Sequence, residues 1–89
     1  MTAIVRTARG AKLLATERRR TGWCDVDLRV AGAASDGVSL SVRMNKSGAW
    51  RIEPPSMLGA AARILGVDED DVYAAIATAV EPTPFGGRP

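Results

Sequence analysis

The sequence predicts an α+β domain in the order αβββαα: a helix, a three-stranded antiparallel meander, then two C-terminal helices. Three observations carry this. Apolar residues run at helical spacing before residue 22 and alternate strictly after it. Pro54-Pro55 closes the alternating stretch. Beyond it, two stretches at helical spacing are each bounded by capping residues.

The first helix is expected from Thr7, a plausible N-cap, to Gly22, a plausible stop. Ala8, Ala11, Leu14 and Ala15 fall on one helical stripe, and Arg18-Arg19-Arg20 sit where a helix C-terminus attracts cations. Gly10 weakens this segment by about 1 kcal/mol relative to alanine. From Trp23 the period becomes two. Val26, Leu28 and Val30 alternate with Asp25, Asp27 and Arg29, and Val38, Leu40, Val42 and Met44 alternate with Ser39, Ser41 and Arg43. Asn45-Lys46-Ser47-Gly48 reads as a hairpin turn leading to a third strand, where Trp50 and Ile52 alternate with Arg51 and Glu53. Ser56 can cap a helix over residues 57–65, ended by Gly66. Asp68 can cap the last helix, with Asp71 at the capping-box position and Val67 and Val72 placed as a hydrophobic staple. Pro82 stops it. The domain is expected to span residues 1–81, with residues 82–89 a flexible Pro/Gly-rich tail.

Composition excludes several classes. At 89 residues and 46% apolar content the chain is one small globular domain. No apolar run reaches the roughly 18 residues that a membrane helix needs. Cys24 is the only cysteine, so no disulfide framework exists, and a free thiol fits a reducing, cytoplasmic location. The first twenty residues hold six basic ones and no secretory pattern. There is no histidine, the commonest general base and metal ligand.

Charge is uneven. Residues 1–53 carry ten basic and five acidic residues, and residues 54–89 carry two basic and five acidic. A basic front suits a polyanion, and opposed halves also suit pairing of two copies in a homodimer. The candidate phosphate contacts are Arg18, Arg19, Arg20, Arg29, Arg43, Lys46 and Arg51. Arg29, Arg43 and Arg51 fall one per strand on the polar face of the meander and could form a row across it. Asp25, Asp27 and Glu53 share that face, so ordinary cross-strand ion pairing is the competing reading. No aromatic residue interleaves with these arginines, which disfavours a single-strand stacking platform.

The two C-terminal helices have helix-turn-helix spacing, but the second opens on Glu69-Asp70-Asp71, and no arginine or lysine occurs from residue 67 to 84. They read as an αα-corner over the sheet. Glu69, Asp70 and Tyr73 are the candidates for a partner-protein surface. Asp25 and Asp27, about 7 Å apart on one strand face, are what any polar face produces, and no metal or cofactor is expected. Cys24 reads as a packed thiol and not a nucleophile.

The order αβββα over roughly residues 7–66 resembles the layout of double-stranded-RNA-binding domains and of the small toxin ribonucleases that share it. The lysine-rich start of the second helix in the former is here Ser56-Met57-Leu58-Gly59-Ala60, and the sheet histidine of the latter is absent. A three-stranded sheet that reads DNA, as in phage integrase arm-binding domains, is similar in layout and would use the face holding Arg29, Arg43 and Arg51. The expected function is therefore a small, non-enzymatic regulatory or accessory protein that binds DNA or RNA through its basic half. The alternative is a protein-interaction module, an inhibitor or adaptor, using the acidic helices or a sheet edge.

Overall fold

The computed structural model describes residues 2–20, 22–32, 37–44 and 49–80, and of Arg20 the backbone only. Five strands form one antiparallel sheet: β1 (Thr2–Arg6), β2 (Lys12–Arg20), β3 (Trp23–Val30), β4 (Val38–Met44) and β5 (Trp50–Glu53). Their spatial order is their chain order, so the sheet is a meander. Two helices follow, α1 (Met57–Leu65) and α2 (Glu69–Val80). The architecture is βββββαα. The expected tail at residues 82–89, and the turn that holds Lys46, lie outside the described residues.

The α+β class and the last five elements stand as the sequence predicts. The first helix does not: residues 2–20 form a β-hairpin instead. The same residues that suggest helix signals build its turn. Thr7 Oγ1 accepts the Ala11 amide at 3.1 Å, the chemistry of an N-cap used inside a turn. The Gly10 amide donates to the Thr7 carbonyl at 2.9 Å, and the Thr7 amide donates to that of Ala11 at 2.8 Å. Gly10 takes φ +88°, which a three-residue hairpin loop requires of its last residue. Gly22, the expected helix stop, has φ +75° in the two-residue link between β2 and β3. The layout shared with double-stranded-RNA-binding domains, which needs a leading helix, goes with it.

Register places one apolar side chain beside another across all five strands. On one face Ala3 pairs with Ala15, Ala15 with Leu28, and Leu28 with Val38. Leu13, Cys24, Val26, Leu40, Val42 and Ile52 are buried on the same face. Both helices cover it, α2 over β1 and β2, α1 over β4 and β5. They contribute Ala61, Ala62, Val72, Ala75, Ile76, Ala79 and Val80 to the core. Alanines at the helix–sheet contact let the layers approach closely, and each fully buried Val, Leu or Ile stabilises the fold by about 1.5–3 kcal/mol.

α1 ends as expected, with Gly66 left-handed at φ +72° and the Gly66 and Val67 amides both donating to the Ala62 carbonyl. Its start differs, since Ser56 makes no side-chain cap bond. Asp71 does not close a capping box either: its Oδ2 accepts the Ala8 amide at 3.2 Å. The first turn of α2 is thereby tied to the β1–β2 turn, 63 residues away in the chain.

Candidate nucleic-acid interface

Every second residue of the sheet faces away from the helices. This open face is covered by no other described element. Its described cations come from all five strands: Arg6 on β1, Lys12 and Arg18 on β2, Arg29 on β3, Arg43 on β4 and Arg51 on β5. Asp25, Asp27 and Glu53 are its described acids.

The predicted arginines are thus partly brought together. Arg29, Arg43 and Arg51 do share a face. They do not form a row, because β4 pairs Arg43 with Trp23, six residues from Arg29 on β3. Arg43 and Arg51 are direct cross-strand partners. Glu53 holds both, at 3.9 Å from Arg43 and 3.2 Å from Arg51. Arg43 also lies 5.1 Å over the ring of Trp23, so an aromatic residue does stand among the arginines, under a guanidinium. Arg18 pairs with Asp27 at 3.1 Å. These pairs are exposed and contribute little to stability, about 0–1 kcal/mol each. They leave the guanidinium groups able to exchange a carboxylate for a phosphate.

The placement of Arg18 to Arg20 at a helix end is overturned, since all three lie on β2, where neighbours must point oppositely. Arg19 faces the helices. Its Nε donates to Glu17 Oε2 at 2.8 Å and its Nη2 to the Val80 carbonyl at 3.1 Å. A guanidinium at that point satisfies a terminal carbonyl and offsets the helix dipole of α2, whose last turn has no basic residue of its own. Arg19 thus acts as a strut between β2 and the end of α2, on the face opposite the other described cations. Lys46 and the Arg20 side chain lie outside the described residues.

Sequence reasoning missed Arg6 and Lys12. Once residues 7–11 are a turn, these two flank it symmetrically and become direct partners on the open face. Lys12 is also the diagonal neighbour of Arg29, which faces Leu14. Gly10 was the available signal. Beside this end a groove of about 520 Å³ is lined by Thr2, Leu14, Thr16, Asp27, Arg29 and Ser39. The Thr2 and Thr16 hydroxyls meet across its floor at 3.1 Å.

Cys24 is fully buried on the helix side and donates its thiol to Glu17 Oε2 at 3.2 Å. Burial first, then the Glu17 carboxylate, push its pKa up to about 11. Burial pushes Glu17 up as well. The hydrogen bond from Cys24 and the bonded charge of Arg19 outweigh this and hold it below the ordinary value. A thiol kept protonated is a poor nucleophile. Titration with a disulfide reagent at pH 8 is expected to modify Cys24 no faster than the protein unfolds. Modification at the rate of a free thiol would contradict this burial.

Of the alternative residues, Tyr73 is the one that meets the β5 edge. Glu69, Asp70 and Tyr73 are exposed on the first turns of α2. The Tyr73 ring, 51% exposed, packs 5.2 Å from that of Trp50 on the edge strand β5. A groove of about 260 Å³ runs between them, lined also by Pro55 and Leu58. Tyr73 thereby joins α2 to the β5 edge, while Glu69 and Asp70 are not among the residues that line this groove. Among the described residues no group of three or more His, Cys, Asp or Glu is placed to hold a metal ion, and no helix is long and apolar enough to cross a membrane. In comparison with known proteins, no family model, no curated protein and no solved structure matches the chain.

Proposed function

We propose that this is a small, non-enzymatic regulatory or accessory protein that binds nucleic acid through the open face of its sheet, in the cytoplasm. One observation carries the reading: all five strands contribute a cation to a face that no described helix covers. On that face six described basic side chains stand against three acidic ones. Guanidinium groups bind phosphate in bidentate fashion and positive sheets attract polyanions from a distance. The absence of histidine and the sealed Cys24 thiol favour binding over catalysis.

Fluorescence anisotropy of labelled duplex DNA, duplex RNA and a mixed-sequence single strand, at about 50 and 200 mM salt, tests this. Binding is expected to weaken steeply with salt and to be lost when Arg29, Arg43 and Arg51 are all replaced by glutamate. Absence of binding at low salt by folded protein would overturn it. The second reading, a partner protein at the β5 edge, is favoured by the exposed Tyr73 ring packed on the half-buried Trp50. It requires that Tyr73→Ala or Glu69→Lys disturb a protein complex while the arginine variants leave it intact.

A further inference from the structure

We propose, resting on the nucleic-acid reading, that the ligand is a double helix straddled by two separate cation clusters at opposite ends of the open face. One cluster is Arg6, Lys12 and Arg29, on the first three strands beside the β1–β2 turn. The other is Arg43 and Arg51, on the last two strands. Arg29 and the β3 partner of Arg43 are six residue steps apart on extended chain, about 20 Å at 3.3 Å per step.

The two ends carry the clusters, and the one described cation between them, Arg18, is paired with Asp27 at 3.1 Å. At the first end, Arg6 and Lys12 are direct cross-strand partners of like charge, an arrangement that an anion would relieve, and the Arg6 guanidinium is held toward the turn by a bond to the Gly10 carbonyl at 3.0 Å. Arg29 has no ion pair among the described residues. The three acids of this face all lie between the ends or beside the second one: Asp27 faces Thr16 and Ser39, Asp25 faces Arg18 and Ser41, and Glu53 faces Ser41. Ser41 Oγ donates to Asp25 at 3.2 Å.

A single strand crossing this face would draw its phosphates over the carboxylates. Its bases would find only Trp23 for stacking among the described open-face side chains, already under Arg43. A duplex places phosphates on the two rims of a groove and base edges between them. Side chains anchored about 20 Å apart can lean onto the rims of a groove roughly 12 Å wide, with hydroxyls and carboxylates left over its floor. Carboxylates there accept from exocyclic amino groups, which phosphates cannot offer. The wide, shallow minor groove of an RNA helix presents the same pair of rims.

The test compares a labelled duplex with its single strand at equal length, in DNA and in RNA, using the full chain and two variants. K12Q/R29Q neutralises one cluster and R43Q/R51Q the other. All four positions are on the exposed side of the sheet, and circular dichroism checks that each variant folds. The duplex is expected to bind at least tenfold more tightly than the strand. Each variant is expected to flatten the log–log salt slope by about 1.8, two phosphate contacts at roughly 0.9 each. DNA and RNA duplexes tell the two groove shapes apart. A single strand that binds as tightly as the duplex, or a slope that only one variant changes, overturns the straddling duplex and leaves the nucleic-acid reading standing. Failure of every nucleic acid to bind the folded wild-type chain overturns both.

Discussion

Leu13→Ala is expected to lower the unfolding free energy by about 3 kcal/mol, and Leu14→Ala by about 1 kcal/mol or less. The two leucines are adjacent in sequence and opposite in environment. Leu13 is fully buried under α2, between Val5 on β1 and Val30 on β3. Leu14 is half-buried on the open face, between Ile4, which is 63% exposed, and Arg29. Truncating Leu13 leaves a cavity among Ala, Val and Ile side chains that are too small to fill it. In a domain of this size a loss of that order removes much of the total stability. Urea denaturation of both variants reads the difference directly. Equal losses, or a greater loss at position 14, would mean that residues 12–20 do not run as a strand, because Leu14 lies on the stripe of the alternative helix.

Arg19→Ala is expected to cost about 2 kcal/mol and to leave nucleic-acid binding close to wild type. Arg18→Ala should do the reverse, with stability nearly unchanged and affinity weakened. Removing Arg19 leaves the Glu17 carboxylate, whose side chain is only 13% exposed, without its bonded guanidinium, and frees the Val80 carbonyl at the end of α2. The pH dependence follows from Glu17. Its folded-state pKa lies below the ordinary 4.5, so its contribution is full above 4.5 and is lost as pH falls through the lower folded value. Without Arg19 that loss begins at higher pH. Denaturation curves taken across the acid range would show it, and an unchanged acid limb in Arg19→Ala would remove Arg19 from the Glu17 site.

The sheet from β3 to β5 was legible because Val26, Leu28 and Val30, and then Val38, Leu40 and Val42, alternate without exception. The first hairpin was not, and the reason is composition. Lys12-Leu-Leu-Ala-Thr-Glu-Arg-Arg-Arg20 consists almost wholly of strong helix formers. Its strand form is imposed from outside, by hydrogen bonding to β1 and β3 on its two edges and by α2 across its buried face. Local signals could not separate the two, since a threonine before and a glycine after serve a turn as well as a helix end. For the candidate interface, period two was enough to put Arg29, Arg43 and Arg51 on one face. Their separation depends on register, set by the loop between β3 and β4, and no pattern in the chain reveals which residue of β3 faces Arg43. The opposed roles of Arg18 and Arg19 follow at once from a strand and could not follow from a helix.

The bond between Ala8 and Asp71 joins the first turn of the chain to its last helix. Most of the sheet can assemble by pairing neighbours, with low contact order and correspondingly fast closure. The segment least inclined to be a strand is the exception, since it waits for α2, the last of the described elements in chain order. Until α2 docks, residues 12–20 have their native partners on the edges and no layer across the buried face. Folding of this domain is thus expected to be completed only when α2 docks, with the basic face acquiring its final arrangement of charges at that step.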